Sequence, residues 1–307
     1  MNTAAKLGTY ALGLAVVFGG ALGIGRVVGP TGNTADMTDA TQDHTPMAPH
    51  GDEHGTRQAN SDTPGGLQVS QNGYTLNPIT SIRTGEPTDF KFTVTGPDGK
   101  PVTDYQVEHD KKLHFIVVSR DLGNFQHVHP DMSPEGTWSV KLTLPEAGPY
   151  RAFADFAPTG GEKLTLGADL QAAGDYQPEP LPHVSRTAAV DDYTVNLAGD
   201  LVPGRSSKLT LTVNKDGEPV TDLQPYLGAY GHLVALRAGD LAYLHVHPED
   251  GDKAGPEITF YAEVPSGGDY RLFLDFQHDG KVRTASFTAT ATLSDGHAPS
   301  ATHDHSH

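Results

Sequence analysis

The chain has 307 residues, a formal charge of −17 and no cysteine. The length suits about two domains, and the acidic surplus argues against nucleic acid or an anionic lipid headgroup as main partner, because both reward Lys and Arg. Without sulfur from cysteine, disulfides, thiolate nucleophiles, cysteine-type zinc sites and blue-copper sites are excluded.

Residues 1–6 carry Lys6, and residues 7–28 (LGTYALGLAVVFGGALGIGRVV) form an apolar run of 22 residues that is uncharged up to Arg26. A transmembrane helix needs about 20 residues, and a cleaved signal peptide has a shorter apolar core. The run therefore reads as a single-pass signal anchor, with residues 1–6 cytoplasmic and the rest extracytoplasmic on a bacterial cell membrane, or secreted if the anchor is cleaved. Residues 29–66 have almost no large apolar side chains and read as a disordered stalk containing His44, His50 and His54 with Met37 and Met47.

Two copies of one unit follow. The first, 67–176, reads FKFTVTGPDGKPVTD, KLHFIVVSRDLGNFQHVHP and GPYRAFADFAP; the second, 186–293, reads KLTLTVNKDGEPVTD, GHLVALRAGDLAYLHVHP and GDYRLFLDFQH. Spacing supports the repeat as much as identity does: His114 to His127 and His232 to His245 are both 13 residues. A Pro-rich linker covers 177–185, and residues 294–307 form a His-rich tail read as disordered. Short runs alternating with period 2, broken by turns such as PDGKP and KDGEP, predict an all-β chain. The expected architecture is two tandem immunoglobulin-like antiparallel β-sandwich domains after an N-terminal transmembrane helix.

His-x-His on a strand sends both imidazoles to one face, so His127 pairs with His129, and His245 with His247. A third histidine opens a continuously apolar strand in each copy, His114 in HFIVV and His232 in HLVAL. If these strands are neighbours, three imidazoles meet in each repeat. Asp155 and Asp275, in the last aromatic strand of each copy, share a face with Arg151 and Arg271. They are read as ligands, as orienting groups for a ligating imidazole, or as partners of the arginine four residues earlier. His109, His183 and His278 have no equivalent in the other copy and read as surface residues.

Three neutral imidazoles with a carboxylate suit copper(II), then zinc(II), over magnesium and calcium. The metal set is thus His114, His127, His129, Asp155, His232, His245, His247 and Asp275. The function expected is a buffer or carrier in metal homeostasis, whose partners are the metal ion and a metal-transport or metal-receiving protein of the envelope. The alternative is a non-metal adhesion or scaffold protein with structural histidines. No paired carboxylates, nucleophile elbow or phosphate loop suggests an enzyme; an open position on a three-histidine metal would permit redox chemistry as the one catalytic alternative.

The segments KLHFIVVSRDL, FQHVHP, GTW and GPYRAFADFAP resemble a module of bacterial extracytoplasmic proteins described as heavy-metal-associated, over roughly 70–292. The architecture is also loosely similar to the CopC-like copper carriers, immunoglobulin-like sandwiches that hold copper(II) by His and Asp. That resemblance implies a metal binder; the N-terminal histidine of CopC-like proteins has no counterpart at the start of either repeat.

Overall fold

A computed structural model describes residues 63–244, 246–249 and 253–293, with the backbone alone at residue 247. The apolar run at 7–28, the stalk up to residue 62, His245 and the tail from residue 294 lie outside the described residues. Among the described residues no helix is long and apolar enough to cross a membrane.

Among the described residues all regular structure is β. The first repeat contains β1 (Ser70–Gln71), β2 (Tyr74–Pro78), β3 (Ile82–Arg83), β4 (Thr88–Thr95), β5 (Leu113–Ser119), β6 (Gln126–Val128), β7 (Asp131–Met132), β8 (Thr137–Leu142), β9 (Gly148–Phe156) and β10 (Leu164–Ala173). The second contains β11 (Thr187–Val190), β12 (Tyr193–Ala198), β13 (Ser206–Lys215), β14 (Glu218–Pro219), β15 (Gly231–Arg237), β16 (Tyr243–Leu244), β17 (Val246–Pro248), β18 (Glu257–Glu263), β19 (Gly268–His278) and β20 (Lys281–Ala291). In the first repeat the sheet β1-β2-β4-β8-β7 faces the sheet β3-β10-β9-β5-β6; in the second, β11-β12-β13-β18-β17 faces β16-β15-β19-β20. Every pairing is antiparallel except β3 with β10. The two repeats are β-sandwiches of immunoglobulin-like type, each around its own apolar core.

Alternation explains which face each strand buries. In β4 the side chains of Phe90, Phe92 and Val94 point inward, and Phe92 stacks on Phe115 of β5 with ring centroids 4.5 Å apart. β5 breaks the alternation, because all seven of its residues are buried. Leu113, Phe115 and Val117 face the first core, while Ile116 and Val118 enter a third apolar cluster shared with the second repeat. A strand covered on both faces reads as a continuous hydrophobic run, which is why HFIVV shows no polar side.

That third cluster is a seam between the two sandwiches. Ile116, Val118, Leu122 and Phe153 meet Val234, Leu236, Leu241 and Phe273. Phe125 of the first repeat stacks on Phe273 of the second at 4.0 Å, and Tyr243 of the second lies 5.7 Å from Phe153 of the first. Phe125 and Tyr243 each stand two residues before the HVH motif, and Phe153 and Phe273 each two before the aspartate. The seam therefore relates the repeats by an approximate two-fold.

Candidate metal centre

The histidines come together through strand register. β5 and β6 pair His127 with Ile116 and Val128 with Phe115, so His129, one step past β6, falls opposite His114. On the far side of β5, His114 pairs with Asp155 of β9. The side chains of His114, His127 and Asp155 thus share the face that looks onto the second repeat.

One nitrogen from each of His114, His127 and His129 lies within 4.8 Å of the other two. His114 Nδ1 is 3.1 Å from His127 Nε2 and 3.2 Å from His129 Nε2. Two imidazole nitrogens on one ion at about 2.0–2.1 Å stand about 2.9 Å apart at a right angle and about 3.3 Å apart at the tetrahedral angle. The ring centroids, 5.4, 5.0 and 4.8 Å apart, agree with the roughly 5.2 Å that tetrahedral ligation to one ion would give.

The outer nitrogens decide what the inner ones present. His114 Nε2 is 3.1 Å from the carbonyl of Glu108; a carbonyl only accepts, so Nε2 carries the hydrogen and Nδ1 offers a lone pair. His127 Nδ1 donates to Asp275 Oδ2 at 2.8 Å, which directs the Nε2 lone pair at His114. Two lone pairs facing each other at 3.1 Å call for a positive charge between them, a proton or a metal ion. His129 Nδ1 lies 3.5 Å from the Tyr226 hydroxyl.

Electrostatics keep donors bare. Burial lowers the pKa of His114 to about 3, helped by neighbouring His127, and burial lowers that of His129 to about 3, helped by His127 and His114. His232 falls to about 4, again chiefly through burial.

The carbonyl that holds His114 comes from a tight turn, in which Glu108 and Lys111 exchange backbone hydrogen bonds across His109 and Asp110, both at positive φ. His and Asp tolerate that region better than most residues. The second repeat builds the same turn at Tyr226–Ala229 around Leu227 and Gly228, and its Tyr226 carbonyl accepts from His232 Nε2 at 2.7 Å. Glu108 and Tyr226 were missed from sequence because they act through backbone carbonyls; the signal available was their equal position, six residues before His114 and His232.

The aspartates do not pair with the arginines four residues earlier. Arg151 instead holds the Gly66 and Leu67 carbonyls and Asp169, and Arg271 holds Ser286 and Thr288. Asp155 accepts from Thr165 Oγ1 at 2.8 Å and faces Lys163 Nζ at 3.3 Å, so it is not gathered with the three imidazoles. Asp275 accepts from Thr284 Oγ1 at 2.5 Å and serves His127 of the other repeat. His232 pairs with Asp275 across β15 and β19 and stands 6.3 Å, ring to ring, from both His114 and His127. Of the remaining second-repeat histidines, His245 lies outside the described residues, and only the backbone of His247 is placed, paired with Tyr261.

Of the histidines read as surface residues, His109 and His183 are exposed and His278 is not. His109 is exposed but stands 5.3 Å from the His232 ring. His278 is buried, bonded to the Tyr193 hydroxyl at 2.7 Å and to Asp222 at 3.1 Å. Beside the triad lies a cavity of about 60 Å³ lined in part by His109, His114, Asp155, Lys163 and His232.

Both repeats match one family, a domain of unknown function (DUF8832), over residues 68–174 and 188–292. The chain belongs to that family. No curated protein matches this DUF8832 chain. Among solved structures it is similar to the Escherichia coli adhesin FdeC, at 14% identity over 73% of this chain and 65% of that one, with a TM-score of 0.24. It is also similar to the Yersinia pseudotuberculosis adhesin InvE, at 12% identity over 74% of this chain and 61% of that one, with a TM-score of 0.24. For invasin, a bacterial integrin-binding protein, the figures are 16% identity, 72% and 39% coverage, and a TM-score of 0.23. The chain spans less than two thirds of each of these three chains.

Proposed function

We propose that this DUF8832 protein binds a divalent transition metal, copper(II) or zinc(II), through His114 Nδ1, His127 Nε2 and His129 Nε2. The observation that carries the reading is the pair of converging lone pairs, each fixed by an outer partner, Glu108 on one ring and Asp275 on the other. A metal-ligating histidine typically donates its other N–H to a carbonyl or carboxylate, and both arrangements are present. The adjoining cavity gives room for water in a fourth position, the pattern of an open three-histidine site. Three nitrogen donors favour copper over zinc by intrinsic affinity. The apolar run at 7–28 supports an anchored, extracytoplasmic buffer or carrier that passes its ion to an envelope protein.

The test is metal analysis of the purified chain by mass spectrometry, with titration of Cu²⁺ and Zn²⁺ against a chelator. Wild type is expected to hold an ion tightly that the His127→Ala/His129→Ala double variant loses. A wild type that stays metal-free at micromolar Cu²⁺ and Zn²⁺ overturns the reading.

The apolar seam favours a second reading, a rigid tandem module for adhesion or scaffolding in which a proton fills the gap between His114 and His127 and the histidines serve docking. It predicts equal stability with and without metal.

A further inference from the structure

The first repeat's histidines do not complete their surroundings alone. We infer that Asp275, carried by the second repeat, is a positioning residue for the metal ligands of the first, which makes the site a shared property of the two docked repeats. This inference rests on the metal reading of the triad.

Asp275 Oδ2 accepts from His127 Nδ1 at 2.8 Å, and both side chains are 5% exposed. A carboxylate so placed fixes the ring's tautomer and orientation and makes the opposite nitrogen a stronger donor. The carboxylate is itself held, because Thr284 lies opposite Asp275 in the β19–β20 register and donates to Oδ1 at 2.5 Å. Tyr226, also from the second repeat, places its hydroxyl 3.5 Å from His129 Nδ1. Two of the three ligand rings are therefore backed by the second repeat, and only His114 is held from within its own, by Glu108.

Asp155 is the equivalent residue of the first repeat. Its carboxylate is engaged by Thr165 and Lys163. The neighbouring seam supplies the alignment for Asp275: Phe273, two residues before it on the same face of β19, stacks on Phe125, two residues before His127. The same strand-to-strand contact that docks the repeats delivers the carboxylate to the imidazole. Metal affinity and docking are then linked, and the linkage is reciprocal.

The experiment uses the full chain with Cu²⁺ and Zn²⁺ as probes. Asp275→Ala is expected to weaken affinity about 10- to 100-fold and to change the Cu²⁺ electron paramagnetic resonance spectrum, a readout that loss of fold stability alone does not alter. Asp275→Asn keeps an oxygen that accepts from Nδ1–H but lacks the charge, so it should restore the wild-type spectrum and part of the affinity. If Asp275→Ala fails to fold, Asp275→Asn carries the test through its weaker affinity. A folded Asp275→Ala protein with wild-type affinity and spectrum overturns the inference and leaves the triad's metal reading intact. A wild type that binds neither ion overturns the metal reading itself.

Discussion

Burial sets the acid behaviour of the histidine cluster. His114 and His129 are lowered to about 3, and His232 to about 4, chiefly by desolvation, while an unfolded histidine titrates near 6.5. Between those values the unfolded chain binds protons that the folded cluster refuses, so their contribution to stability is full above about pH 6.5 and declines as pH falls toward 3 to 4. The urea midpoint of chelator-treated protein should therefore drop steadily from pH 7 to pH 5, and His232→Gln should flatten that slope; a midpoint unchanged over the range would contradict the burial argument. At this scale the sequence was legible where chemistry repeats. Equal spacing singled out His114, His127 and His129, and period 2 put His127 and His129 on one face. Glu108, whose contribution is a backbone carbonyl, was marked only by its equal spacing with Tyr226, and the crossing of Asp275 to His127 was not marked at all, because alternation gives the face of a strand and not what is packed against that face.

Among elements, β5, β9, β15 and β19 do two things at once: one face builds a sandwich core and the other the seam. The continuous apolar runs HFIVV and HLVAL were visible in sequence, yet the alternation of the other strands gave no hint that both faces of these would be covered. Phe273 is the seam's anchor, 3% exposed and stacked on Phe125, so Phe273→Ala should cost about 3–5 kcal/mol in chemical denaturation. Gly66 adds a backbone constraint. At φ +75° a Cβ there would lie 2.4 Å from Phe153 Cδ1, and the Gly66 carbonyl accepts from Arg151 at 2.7 Å. Gly66→Ala should destabilise by about 1–3 kcal/mol, measured in the same assay, with Gly85→Ala, also at positive φ but in open space, as the comparison for the backbone share.

For the two repeats as a whole, the seam matters more than the linker. Tandem domains move relative to each other by default unless the interface is hydrophobic, and this one gathers aromatic and branched side chains from both repeats. Leu236 is fully buried in the seam and absent from the core of its own sandwich, so Leu236→Asp should separate the repeats while leaving each folded. Small-angle scattering should then show a larger radius of gyration, and a Cu²⁺ titration should show weaker binding although no ligand has been touched. Unchanged dimensions with unchanged affinity would mean that the seam does not govern the site. Tandem architecture was readable from the duplicated blocks, but their mutual docking was not, because both copies carry the same apolar face and a sequence does not say whether two such faces meet each other or a third party.

The bond from Asp275 to His127 has a consequence for how such a chain can change over time. Duplication ordinarily frees one copy to drift while the other keeps the original task. Here a change in β19 of the second copy is felt by an imidazole in the first, and loss of the second copy removes the carboxylate that holds that imidazole. The two halves are bound to a shared inheritance: the pair, and not the single repeat, is the smallest piece that can be passed on intact.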